Sequence, residues 1–251
     1  MENVVELTFM HDLADEASVL AMEFFGVGIP VAEKADQSPV TEADLAVEKL
    51  IRQRIAERFP NDAIVGEEFG SSGVASRTWI VDPIDGTSYF ANSNPNWRIH
   101  LALQIDERLE LAVVAAPALR LRWWAQRGEG AFEAAWPDEG SVRKSLRVSA
   151  TQDLDGSLIA CTPDATRNRL PECCGVAPWT PLPLVELVRS EIDGFVAEGF
   201  HIWDHAPWIL LVQEAGGKFT DREGSMSGDR GGGVYSNGWL HDELVRSLGY
   251  R

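Results

Sequence analysis

The stretch Trp79–Phe90, WIVDPIDGTSYF, runs from three apolar residues into two aspartates and then a Gly-Thr-Ser turn. Trp79, Ile80 and Val81 predict a short buried strand that delivers Asp82 at its end. Pro83 stiffens the exit, Asp85 follows, and Gly86 permits close approach of the backbone. Carboxylates held this close destabilise each other unless a cation lies between them. The N–H groups of Gly86, Thr87 and Ser88 are placed to open a helix and to meet a phosphate. Alone, Asp-Pro or Asp-Gly marks a surface turn; the whole string after an apolar strand favours a metal-assisted phosphate site.

Three further strings point the same way. In Gly66–Gly70, GEEFG, the apolar Ile64 and Val65 lead into Glu67 and Glu68, which taken alone are a solvated pair. In Trp203–Gly217, WDHAPWILLVQEAGG, Asp204 stands where a helix begins, an N-cap position that also leaves an oxygen for a metal. Thr41 and Asp44 precede an apolar run in the pattern of a capping box. His201 and His205 flank Asp204 as a solvated or supporting pair, and none of the five histidines has a nucleophile's partner set.

Around these strings the chain alternates between helical and extended patterns. Leu13, Ala17, Leu20, Ala21 and Phe24 form one helix face, and Val47, Leu50, Ile51, Ile55 and Phe59 a second that should pack on it. Ile99 to Ile105 alternates as a half-buried strand, Leu111–Ala116 is a buried strand ended by Pro117, and Leu121, Trp123 and Trp124 form another. Thr162–Pro183 is expected to be mostly loop and Leu184–Val188 a short strand or helix. A helix from Asp204 to Ala215, a strand at Lys218–Thr220, a glycine loop at Gly231–Gly233 and a helix at His241–Leu248 complete the pattern. The mixture lacks strict alternation, so a layered α/β or α+β sandwich fits better than a doubly wound sheet.

Composition narrows the function. The 251 residues allow one large domain or two joined lobes. A formal net charge of −17 argues against nucleic acid and anionic membrane surfaces as partners, and it requires local cations wherever an anionic substrate binds. Three cysteines without a CxxC pair are neither a disulfide framework nor a zinc site. No apolar run reaches membrane-span length, and Met1–Met10 lacks the features of a signal peptide, so a cytoplasmic protein is expected. Every candidate ligand is oxygen, which suits magnesium rather than zinc.

The glutamate after an apolar strand, DPIDGT and WD…EAGG resemble the motifs of the inositol monophosphatase family, in order and spacing, from about Leu13 to Leu248. The resemblance implies an αβαβα sandwich of the inositol monophosphatase/fructose-bisphosphatase type. It implies one phosphatase domain over 1–251, with a lobe at about 1–145 carrying most ligands and a lobe at about 146–251 carrying Asp204 and the substrate pocket. It further implies two or three Mg2+ ions held by Glu67, Asp82, the Ile84 carbonyl, Asp85 and Asp204, and a water oriented by Glu67 and Thr87. Asp44 matches a carboxylate that supports the water network of a weaker third ion, and Lys34 a nearby lysine, with Glu68 beside them; a homodimer and lithium inhibition are also implied.

Ala116–Phe132, VTEADLAVEKLIRQ and SNGWLHDEL resemble the bacterial histidinol-phosphatase branch, which dephosphorylates histidinol phosphate in histidine biosynthesis. Ala197 stands where the family often has a substrate-binding glutamate, and Pro183–Gly194 replaces a glycine-led segment. Glu186, Asp193 and Glu198 are then the candidate substrate carboxylates, for an ammonium group or a sugar hydroxyl. Inositol 1-phosphate and a nucleotide bisphosphate are the other substrates considered, and a catalytically silent metal-binding homologue is the alternative outside catalysis.

Overall fold

A computed structural model describes residues 4–137, 142–162, 167–228 and 230–251. The chain divides into two compact units, Met1–Gln126 with Phe132–Lys144, and Arg127–Ala131 with Ser145–Arg251.

The first unit begins with helix α1 (Val4–Phe24), a small hairpin of β1 (Ala32–Glu33) and β2 (Pro39–Val40), and helix α2 (Glu42–Arg58). Strands β3 (Ala63–Gly66), β4 (Gly70–Ser72) and β5 (Arg77–Asp85) follow, then the short helix α3 (Thr87–Ala91). Strands β6 (Arg98–Ile105), β7 (Arg108–Ala116), β8 (Leu121–Gln126), β9 (Gly130–Ala135) and β10 (Lys144–Ser145) complete an eight-stranded sheet of order β10-β9-β8-β7-β6-β5-β3-β4. Met10, Leu13, Ala14, Ala17 and Ala21 of α1 pack with Val47, Ile51 and Ile55 of α2 over one face of the sheet. Truncating a side chain such as Ile51 there costs about 2–5 kcal/mol. The buried stripe of α2 differs from the expected one: Leu50 is only half-buried, while Asp44 and Glu48 lie wholly inside.

Strand β5 carries the feature that positions the site. It pairs parallel with β3 and antiparallel with β6, and its register against β6 shifts between Asp82, opposite His100, and Asp85, opposite Arg98. One extra residue is accommodated at Pro83-Ile84, as in a β-bulge. In a regular strand, residues three apart point to opposite faces. Here Trp79, Val81 and Ile84 all enter the core beneath the helices, so Asp82 and Asp85 share the other face. Proline has no N–H to lose from the ladder, which suits it to the bulge.

The second unit contains β11 (Leu158–Cys161), β12 (Gly175–Val176), helix α4 (Pro183–Val188), β13 (Gly194–Glu198), helix α5 (Ile202–Glu214), β14 (Lys218–Asp221), β15 (Gly232–Ser236) and helix α6 (His241–Ser247). Its five-stranded sheet has the order β12-β11-β13-β15-β14, parallel across β12, β11 and β13 and antiparallel across the rest. Leu184–Val188 is helical. The expected glycine loop at Gly231–Gly233 is corrected: Gly232 and Gly233 begin β15. A Cβ on Gly232 would stand 2.4 Å from the Ala197 carbonyl oxygen, and one on Gly233 2.5 Å from that of Thr220, so close strand approach is their reason. Among the described residues, no helix is long and apolar enough to cross a membrane.

His241 lies buried at the start of α6, with Nε2 2.8 Å from Thr220 Oγ1 and Nδ1 2.9 Å from Ser236 Oγ. Burial, with the Lys218 charge adding to it against the opposing effect of Asp242, pushes its imidazole down to about 4. The unfolded chain takes this proton near pH 6.5 and the folded chain only near 4, so the stabilisation is complete above about 6.5 and is lost as pH falls toward 4. The loss is on the order of 3 kcal/mol. Urea denaturation at pH 7 and pH 4.5 should therefore show a smaller pH dependence for His241→Gln than for wild type. Equal pH dependence would contradict this assignment.

Candidate active site

Because β3 and β5 run parallel, both end at one edge of the sheet, and each ends in carboxylates. Glu67 leaves β3 with its N–H donating to the Val81 carbonyl at 3.3 Å, which ties it to the strand that carries Asp82. Asp82 is buried, and its Oδ1 accepts from the Ile84 N–H at 3.0 Å. Carboxylate oxygens of Asp82 and Asp85 lie within 4.8 Å of one another. Two carboxylates at that separation, one of them buried, could hold a cation between them.

Gly86 turns the chain out of β5 at φ +88, in the left-handed region, where a Cβ would come 3.3 Å from the Asn96 carbonyl oxygen. It caps α3, whose first residue is Thr87. The buried Thr87 hydroxyl donates to Asp44 Oδ1 at 3.0 Å and lies 3.3 Å from the Ile84 carbonyl oxygen. Asp44 uses its other oxygen, Oδ2, to accept from the Thr41 N–H at 2.8 Å and the Thr41 hydroxyl at 2.5 Å. The capping box of α2 is thus present, and the same carboxylate that closes it reaches Thr87. Burial raises the Asp44 pKa, while the bonds from Thr41 and Thr87 pull it back.

Lys34 donates to Glu67 and Glu68, at 2.8 Å each. Burial works against its charge, but these bonds outweigh it and hold the ammonium above the ordinary lysine range. Burial pushes Glu68 up to about 7, with Lys34 opposing and the Glu67 charge adding. Sequence patterning missed Glu48, whose carboxylate accepts from the N–H groups of Glu68 at 2.7 Å and Phe69 at 3.2 Å and pairs with Arg52 at 2.7 Å. It thereby fixes the GEEFG turn; its only signal was a place one helical turn after Asp44. Patterning also passed over Arg98 and His100, which occupy the positions between the apolar residues of β6. Arg98 Nε donates to Asp85 Oδ2 at 2.7 Å, and His100 Nε2 stands 3.5 Å from the same oxygen. Burial alone would raise the Asp85 pKa, but the charges of Arg98 and His100 hold it below the usual carboxylate range.

The second unit carries the remaining candidates. Asp204 is not the N-cap of α5: that position is His201, and Asp204, the third residue of the helix, accepts the His201 N–H at 2.6 Å through Oδ2. Buried His205, one residue on, places Nδ1 2.6 Å from the Tyr235 hydroxyl. Asp193 accepts from Ser149 Oγ at 2.5 Å and from the Leu158 N–H at 2.7 Å. Glu198 pairs with Arg222 at 3.2 Å and accepts from the Tyr250 hydroxyl at 3.2 Å. Glu186 sits half-buried in α4.

Comparison with known proteins places the chain in a family. The profile of the inositol monophosphatase family matches residues 4–249. The chain belongs to that family. Among relatives of this inositol monophosphatase-family chain, a protein of Streptomyces griseus named glucose-1-phosphate thymidylyltransferase is 39% identical, over 95% of this chain and 92% of that one. A histidinol-phosphatase of Mycobacterium tuberculosis is 36% identical, over 94% and 95%. The solved structure of an IMPase from Thermotoga maritima superposes with a TM-score of 0.82 at 30% identity, covering 98% of this chain and 97% of that one. The mixed α/β fold is therefore that of the inositol monophosphatase family, and the chain is a phosphoric monoester hydrolase. The all-oxygen donor set and the paired aspartates fit the hard divalent ion of such an enzyme.

Thr87→Val removes the hydroxyl while keeping the volume of the side chain. Phosphatase kcat should fall by about 10²–10⁴-fold, with far-UV circular dichroism and KM little changed. A variant of unaltered kcat would remove Thr87 from the chemistry.

Proposed function

We propose that the chain is a magnesium-dependent phosphatase that hydrolyses histidinol phosphate to histidinol and inorganic phosphate. The observation that carries the hydrolytic reading is the pair Asp82 and Asp85 on β5, with Glu67 leaving the parallel neighbour β3 and Thr87 linked to Asp44 beside them. Glu67, Asp82, Asp85 and the Ile84 carbonyl would hold magnesium, and Asp204 would complete the set. Bound magnesium supplies Lewis-acid stabilisation of the phosphoryl and leaving oxygens and makes a water acidic enough to attack at neutral pH. The Thr87 hydroxyl donates a hydrogen bond to Asp44, so its lone pairs would accept from the attacking water, which Glu67 would orient from the other side. The N–H groups of Gly86, Thr87 and Ser88 would hold the phosphate oxygens. Lys34, which Glu67 shares with Glu68, holds Glu67 in place.

The choice of histidinol phosphate is supported by the histidinol-phosphatase relative, aligned over nearly the whole of both chains. Inositol 1-phosphate is the second reading, supported by the Thermotoga structure. The name of the Streptomyces griseus relative denotes nucleotidyl transfer; water is the better acceptor here because Thr87 and Asp44 are arranged to receive its proton. Asp193 and Glu198 are engaged by neighbours in their own unit, so Glu186 is the first substrate carboxylate to test. A cytoplasmic homodimer holding two or three magnesium ions completes the proposal.

The test is phosphate release with magnesium, on histidinol phosphate and inositol 1-phosphate side by side. Histidinol phosphate should be strongly preferred, and Asp82→Asn should abolish turnover of both. Preference for the inositol ester would overturn the substrate assignment, and metal binding without turnover of any monoester would favour a silent homologue.

A further inference from the structure

The strand beside the ligand strand is charged in an unusual way. On β6, Ile99, Leu101 and Leu103 enter the core beneath the helices, so Arg98 and His100 face the side that carries Asp82 and Asp85. The register sets His100 opposite Asp82 and Arg98 opposite Asp85. Neither is a surface residue: Arg98 is 9% exposed and His100 1%. The Arg98 guanidinium bonds Asp85 Oδ2 through two nitrogens, Nε at 2.7 Å. A permanently charged fork with little access to water therefore sits on a carboxylate assigned to a metal.

We propose that Arg98 is a resident counter-ion of Asp85 that competes with the divalent ion shared by Asp82 and Asp85 and weakens its binding. The inference rests on the metal-site reading above. Arg98 always carries its charge, so an ion reaching Asp85 Oδ2 has to displace the guanidinium and stay beside it at short range. Glu67 meets a cation too, Lys34, but shares it with Glu68. The role assigned to Arg98 is positional: it sets occupancy and takes no part in bond breaking.

Mn2+ binding followed by electron paramagnetic resonance of the free ion counts sites and affinities without any turnover. Arg98→Met should tighten one Mn2+ site, the one lost in Asp82→Asn, by about tenfold or more, as removal of a nearby unit charge requires. Arg98→Lys, which keeps the charge, should bind as wild type does. If the apolar variant does not fold, Arg98→Gln replaces it, removing the charge and keeping a donor for Asp85. Neutral variants with unchanged or weaker Mn2+ binding would overturn the proposal. Absence of Mn2+ binding in wild type, unaltered in Asp82→Asn, would instead overturn the metal-site reading beneath it.

Discussion

Mutual repulsion of carboxylates organises the first unit. Parallel pairing of β3 with β5 brings Glu67 and Asp82 to one edge, and the bulge at Pro83-Ile84 turns Asp85 to the face of Asp82. Water screens such charges poorly once they are buried, so the fold supplies counter-charge from three directions: Lys34 to Glu67 and Glu68, Arg52 to Glu48, and Arg98 to Asp85. In a chain of net charge −17 these cations are not incidental. They offset the repulsion among the carboxylates gathered at the ends of β3 and β5.

The same constraint explains why local structure and chemistry share residues. Asp44 closes the capping box of α2 with one oxygen and receives Thr87 with the other. Glu48, one turn later, holds the N–H groups of the turn that presents Glu67 and Glu68. Both enter a helix face that hydrophobic patterning would fill with apolar groups. A helix that contributes two buried acids to a site must recover stability elsewhere, and α2 does so by packing Val47, Ile51 and Ile55 against α1 and the sheet.

Much of this was legible in the sequence. An apolar run ending in Asp82 announced β5, the Thr41–Asp44 spacing announced the start of α2, and the motif strings announced the family. The rest was hidden for physical reasons. Leu158–Cys161 and Gly194–Glu198 are short central strands without alternation, so nothing distinguishes them from loop apolar residues. Gly232 and Gly233 resemble a loop because close strand approach and flexibility both call for glycine. Asp204 stands in the first turn of α5 rather than at its N-cap because its carboxylate reaches back to accept the N–H of the N-cap residue, His201. Arg98 and His100 were lost between apolar neighbours: alternation marks them as facing away from the helices, and only the register shows that they face carboxylates.

The central claim is that the ends of β3 and β5 form a divalent-cation site. Crystals grown with saturating Mn2+ and measured at its absorption edge test it directly. An anomalous peak is expected at coordination distance from Glu67, Asp82 and the Ile84 carbonyl oxygen. An empty anomalous map there, with Lys34 still on Glu67 and Arg98 still on Asp85, would contradict it.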